Sequence, residues 1–510
     1  MKKYAHHCFI SSMHSIKIKL LSFVFILLLF KNAVAQKINF SALDKSNLKS
    51  ASFQIIGQVG NEIFIYQKVN KQHIIRKYDQ DMRNLDELVL DFIPEKSIKI
   101  DFVKSKNELV VFFQCKKESY IYCQAAVLNY QENKFQGIIT MDSVKVKQLD
   151  DKGYFSIAIS ENKKRFLLYF RRQINDSVII SANTYNHHVI KIDEFEQTMF
   201  YDQRRNVLTD IIIDNEGNYI FTKQSKSNSN DNFELLEIIN HQFGSDSIVT
   251  INCPLQKKYL ENALLKIDNM NKRYIVNAYY YSTKRGHVEG LFTAILKSDD
   301  ISYYHQAFNK LPETFKSSNN NFDNLVPKEI VVKNNGGFVL VAEDCFTEVQ
   351  NINNSWNRNY NSPFGMNMGN VYFDNPYMLN NRNNNYSPNQ LTRYYNNNIL
   401  IASIDSALNF LWGSSIEKKQ YSEVGELMLS YSYLNPGYGL DFLYIEKDNQ
   451  RYTLSHNRIT SSGEVNHFPN IRSNEENYEF IPRIGKQISS NSIIIPFYYL
   501  KQTGFAKIDF

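Results

Sequence analysis

The chain has 510 residues with 58 basic and 52 acidic side chains, a formal net charge of +6, and 14% aromatic content. Five lysines (2, 3, 17, 19 and 31) and no acid fall in residues 1–35, so bases and acids nearly balance in the rest. That balance excludes the basic surface a nucleic-acid-binding protein needs, and Cys115, Cys123, Cys253 and Cys345 are too few for a disulfide scaffold of this size.

The N-terminus reads as an export leader. Leu20 to Phe30 (LLSFVFILLLF) is apolar but too short for a comfortable permanent span, with Lys17 and Lys19 before it and Ala33-Val34-Ala35 after it. Cleavage is expected after Ala35, leaving Gln36 first. Cys8 precedes the apolar run, so no lipid anchor is expected. A second membrane span is not expected, because no other apolar stretch is long enough.

From residue 52 onward helical periodicity is nearly absent, and short strand-like runs recur. One strand type follows a polar turn each time: NEIFIYQK (61–68), NELVVFFQ (107–114), KRFLLYF (164–170) and GNYIFTK (217–223). It continues as KRYIVNAYYY (272–281), GGFVLVA (336–342), GLDFLYIEK (439–447) and SNSIIIPFYY (490–499). Each copy is flanked by one shorter strand before it and two after it. Four antiparallel strands repeated at this spacing specify a β-propeller. The count favours eight blades, with seven the alternative. The last unit is one strand short, and QKINF (36–40) is free to close it. Pro496 is awkward inside a strand, because proline removes a ladder donor.

Several residues along the way invite chemistry. Cys115 and Cys123 flank KKESYIY; a hairpin closing around 118–120 would set them opposite each other and permit a disulfide in an oxidising compartment. His187 and His188 are neighbours in a turn, which disfavours chelation of one ion, and HExxH is lacking, so no metal is expected. IDNEGNY (213–219) only faintly matches an aspartate box. In KNNGGFVLVAEDCF (333–346) the glycines make a turn and Phe338 to Ala342 a strand. Glu343, Asp344 and Cys345 then read as the strand's exit into a solvated loop, with Glu343 and Cys345 on one side and Asp344 on the other.

The most individual segment is an insertion at about 351–398, which holds 18 asparagines and the single acid Asp374. Its aromatics include Trp356, Tyr360, Tyr372, Phe373, Tyr377, Tyr386, Tyr394 and Tyr395. Such a polar, turn-rich segment builds no core of its own. Tyrosine and tryptophan give contact area and asparagine adaptable hydrogen bonds, so these aromatics are the candidate binding residues.

Two stretches resemble a known group. GGFVLVAE (336–343) with ILIASIDSALNFLW (399–412) resembles repeats of bacterial secreted β-propellers, in which Trp412 would be the closing aromatic and Asn409 the turn residue. The ending FIPRIGKQISSNSIIIPFYYLKQTGFAKIDF (480–510) resembles an uncharacterised secreted family of Bacteroidetes. The resemblance covers mainly residues 324–510 and implies export and propeller architecture, with no activity attached.

The expected organisation is a leader (1–35) and one propeller domain (36–510). The expected role is an exported, non-catalytic binding or scaffold protein, in the periplasm, at the cell surface or outside the cell. Its partner would be a carbohydrate or another envelope protein, with no nucleic acid and no cofactor. A propeller enzyme acting on glycans is the alternative, although no GxSxG elbow, phosphate loop or dinucleotide fingerprint is present. A third reading is an outer-membrane barrel, suggested by the alternation of Ala506, Ile508 and Phe510.

Overall fold

The computed structural model describes residues 36–44, 52–106, 108–130, 132–148, 154–300, 304–315, 322–351, 356–359, 390–448, 451–471, 478–500 and 502–510. These form eight antiparallel sheets, each built on four strands, and apart from short 3-10 turns no helix is present among them. The protein is an eight-bladed β-propeller.

Blade one runs Ser52–Val59, Glu62–Val69, Gln72–Tyr78, Asn84–Val89 from the axis outward, and blades two to seven repeat this plan down the chain. Blade eight takes Glu479–Phe480 and Lys486–Gln487 as its broken inner strand, then Ser492–Tyr499 and Gln502–Asp509. Its outer strand is Lys37–Phe40, paired antiparallel from Lys37 opposite Asp509 to Phe40 opposite Ala506. The two ends of the chain thus close the ring, as the short last unit implied. Pro496 lies where the inner strand of blade eight is interrupted, and its carbonyl still accepts the Ile481 N–H at 2.8 Å.

The core is eight cores. Each apolar cluster lies between two neighbouring blades, and the last joins Phe53, Ile63 and Ile65 of blade one to Ile494 and Phe505 of blade eight. Period-two alternation explains the division. In blade one Ile63 and Ile65 face blade eight, while Phe64 and Tyr66 face blade two. Both faces of the second strand are therefore apolar, which is why these strands read as continuous hydrophobic runs.

The barrel reading fails here, because the strands form eight separate sheets and not one closed sheet. Ala506 and Ile508 owe their alternation to the cluster between blades seven and eight. Among the described residues no helix is long and apolar enough to cross a membrane.

The disulfide that the sequence permits is not formed. The hairpin turns at Glu118-Ser119, so Cys115 pairs with Tyr122 and Cys123 with Gln114. This register differs by one residue from the one that would set the cysteines opposite each other, and one residue moves a side chain to the other face. Both thiols are free: Cys123 is buried between blades two and three, while Cys115 lies 3.7 Å from Gln124 Oε1.

Trp412 lies on the outer strand of blade six, Phe410–Ile416. Its ring lies over the turn at Gly463 of blade seven and its indole N–H donates to the Ser461 carbonyl at 3.2 Å. Asn409 folds the preceding turn by donating from its backbone and side chain to Asp405 at 2.7 and 3.0 Å. Gly463 has φ +89°, and a Cβ there would come within 2.6 Å of the Trp412 ring. Gly463→Ala is expected to destabilise the fold by about 1–3 kcal/mol, measured by urea unfolding; unchanged stability would show that the turn moves freely away from the indole.

Candidate functional site

Blade six departs from the others. Its second and third strands, Phe338–Asn351 and Gln390–Ile404, are 14 and 15 residues long, against 10 or fewer in the other blades. They project the blade at the end where its insertion lies. A short strand, Gln420–Ser422, pairs with residues 394–396 and widens the projection.

Antiparallel pairing places Phe346 opposite Tyr395 and Tyr395 opposite Tyr421, so three aromatics make one rung on one face. Phe346 and Tyr395 are stacked with centroids 4.5 Å apart, and Tyr421 is 6.0 Å from Tyr395. Arg393, two residues from Tyr395 and so on the same face, lies 4.9 Å from the Tyr421 ring and pairs with Glu423. Tyr421 is 61% exposed.

Of the aromatics expected from the sequence, Tyr395 joins this rung and Tyr394 lies on the opposite face of the same strand. Trp356 lies in the strand Trp356–Asn359, which pairs with residues 347–350. Tyr360, Tyr372, Phe373, Tyr377 and Tyr386 lie outside the described residues. Phe346, Arg393 and Tyr421 were missed by the sequence reading. Continuing the alternation past Ala342 would have found the first of them.

The base of the projection gathers several charged and polar side chains. Glu343 is fully buried, and the strand runs on past it for eight residues to Asn351, so it is no exit into solvent. Its carboxylate meets Lys418 Nζ at 2.7 Å and Lys328 Nζ at 3.4 Å, and accepts from Asn396 Nδ2 and Ser430 Oγ at 2.8 Å each. The Cys345 thiol lies 3.3 Å from Glu343 Oε2, so the expected sharing of a side holds. Burial would raise the Glu343 carboxyl, but the charges of Lys418 and Lys328, with the Lys418 and Ser430 bonds, bring it down to about 2. Burial and the neighbouring Glu343 charge push the Cys345 thiol up, so it is no ready nucleophile. Lys418 also donates to the Asn396 carbonyl at 2.7 Å and Gln420 Oε1 at 3.0 Å, tying the projection to the loop leading into blade seven.

Blade seven carries a second buried carboxylate. Asp441 accepts from His456 Nε2 at 2.7 Å and from Arg458 at 2.7 and 3.0 Å. Burial pushes this group up, and the His456 and Arg458 contacts outweigh burial, leaving it below its ordinary value.

The aspartate-box-like stretch is a tight turn folded around Asp214 and tied to its neighbours. Asp214 accepts the backbone N–H groups of Glu216, Gly217 and Asn218 at 2.9–3.0 Å and the Tyr274 hydroxyl of blade five at 2.8 Å. His187 and His188 gain a neighbour the sequence did not suggest, since Glu108 of blade two brings a third potential ligand atom within 4.8 Å of both. Tetrahedral zinc ligands at about 2.1 Å lie about 3.4 Å apart. The group would therefore have to close in before it held an ion.

No family model matches the chain, and no curated protein does. Among solved structures, the chain is similar to the WD40 domain of SCAP from fission yeast, with 7% identity, 93% of this chain and 98% of that one covered, and a TM-score of 0.41. It is also similar to the polysaccharide lyase Uly1, with 8% identity, 80% and 89% coverage, and a TM-score of 0.38. A third is the dihydro-heme d1 dehydrogenase NirN, with 8% identity, 90% and 70% coverage, and a TM-score of 0.37.

Proposed function

We propose that the chain is an exported, non-catalytic propeller that binds a glycan or another envelope protein through the projecting edge of blade six. The observation that carries this reading is the rung of Phe346, Tyr395 and Tyr421, flanked by Arg393, on strands that outrun the rest of the fold. Flat rings beside a guanidinium bind sugar faces or extended peptide, and a surface fixed in advance loses little entropy on binding. The ion-paired base around Glu343 supplies that fixity.

The glycan-enzyme reading is less well supported by the same geometry. A carboxyl held down to about 2 and fully buried cannot donate a proton near neutral pH. Asp441 is likewise held ionised by its partners.

The test is retention of residues 36–510 on glycan arrays and on solubilised envelope proteins. A Tyr395→Ala/Tyr421→Ala double variant is expected to weaken the detected interaction by about 2 kcal/mol, roughly thirtyfold. Undiminished binding by the folded double variant would remove the site. Release of sugar products by the parent protein would instead favour the enzyme.

A further inference from the structure

The seam between blades two and three gathers three metal-ligating side chains that the blade-six surface does not use. Blade two begins its second strand at Glu108, and blade three joins its third and fourth strands, Ser177–Asn186 and Lys191–Phe200, through a turn that carries His187 and His188. In an antiparallel meander these two places lie at the same end of the ring, opposite the end from which blade six projects.

The seam itself is fixed. Tyr185, two residues before His187, donates its hydroxyl to the Met141 carbonyl of blade two at 2.8 Å, and Asn183 Nδ2 donates to Asp142 at 3.0 Å. Val189, just after the histidines, is buried with Val110 and Phe112 in the apolar cluster between the two blades. Adjacent histidines ordinarily diverge, because successive side chains of an extended chain face opposite sides. Here the chain is tightly turned. Asn186 Oδ1 accepts the backbone N–H groups of His188 and Ile190, both at 3.0 Å, and Val189 takes a φ of +60°. That left-handed conformation is rare for a β-branched residue. In the turn so made the two imidazoles lie together, with ring centroids 3.8 Å apart.

Glu108 meets them from the neighbouring blade. Its Oε1 lies 3.8 Å from His188 Nδ1, and one donor atom from each of the three residues lies within 4.8 Å of the other two. The Glu108 side chain is only 27% exposed. Polar groups so covered normally take a hydrogen-bond partner, yet among the described residues no hydrogen bond reaches its carboxylate or either imidazole ring. Two imidazole nitrogens and a carboxylate oxygen are the donor set of a borderline divalent ion such as zinc. To reach tetrahedral spacing each ligand atom moves by less than about 1 Å. His188 is more than half exposed, so rotation of its side chain supplies much of that movement.

We propose that Glu108, His187 and His188 form a site for a divalent transition-metal ion, which staples blade two to blade three and leaves a fourth coordination position open to solvent. The site is separate from the aromatic rung at the other end of the ring, so either can fail without the other.

Calorimetry with zinc chloride on residues 36–510, in a buffer that does not chelate, tests it. The expected Kd is about 10 μM or tighter, rising about tenfold or more in Glu108→Ala and in His187→Ala. His188→Ala provides a third variant should either fail to fold. His305→Ala, on the outer strand of blade five, is expected to bind like the parent. A second readout is protection: zinc is expected to slow acylation of His187 and His188 by diethyl pyrocarbonate, located by peptide mass spectrometry, and to leave His305 unprotected. Calcium, which takes oxygen ligands, is expected to displace no zinc at equal concentration. Absence of zinc binding at 10 Kd, about 100 μM, or equal binding by the parent and the folded variants, overturns the proposal. So does displacement by equal calcium, or protection of His305 as strong as that of His187.

Discussion

Glu343→Gln is expected to destabilise the protein by about 3–5 kcal/mol, the range for removing one partner of a buried ion pair. The amide fills the same space but leaves the ammonium of Lys418, itself almost without solvent contact, next to a neutral group. Lys418→Met should cost a similar amount, because Lys328 alone then faces the carboxylate from 3.4 Å. The double variant Glu343→Leu/Lys418→Met is expected to recover much of the loss, since buried pairs are often replaceable by apolar residues of like volume. Urea unfolding of all four proteins measures the two losses and the recovery. Single variants as stable as the parent would show that the pair is hydrated and the burial argument wrong.

The same carboxylate sets an acid limit. Its folded value of about 2 lies below the ordinary 4.5, so the unfolded chain binds the proton more readily. The group therefore contributes its full stabilisation above 4.5 and loses it as pH falls from there towards about 2. The parent should lose stability over that interval more steeply than Glu343→Gln does.

Much of the fold was legible because a propeller repeats its signal. The second strand of each blade is buried on both faces, so GNYIFTK and GGFVLVA stand out as apolar runs behind polar turns. Position was harder to read than identity. Cys115 and Cys123 share one hairpin, and a single residue of register decides whether they meet or face apart. In AEDCF the alternation continues, but with charged and polar side chains, so the strand looked finished at Ala342 when it had nine more residues to run.

The site residues were hidden for a different reason. Glu343 finds Asn396 and Ser430 at sequence separations of 53 and 87, across an insertion and a blade boundary. Nothing local in either partner marks it. Functional geometry of this kind follows from the packing of one blade on the next, which the repeat implies but does not locate.

Ring closure itself yields the last prediction. A chain beginning at residue 45 is expected to lose on the order of 5 kcal/mol, from the apolar surface of Ile38 and Phe40 and the ladder bonds that go with them. Phe40 packs edge-on against Tyr478 and Phe497 at 5.1 and 5.4 Å. Ser41 and Asp44 extend the pairing through Phe505 and Thr503, and Asp44 also pairs with Arg76 of blade one. Without these residues Gln502–Asp509 becomes an open edge, which recruits other chains, so size-exclusion chromatography should show concentration-dependent association. A peptide of residues 36–44 added in trans should raise the melting temperature and restore the monomer, by adding the missing strand. A truncated chain that stays monomeric and melts with the parent would show that the terminal strand is dispensable. The leader cleavage expected after Ala35 falls two residues before Lys37, so it would leave this closing strand whole.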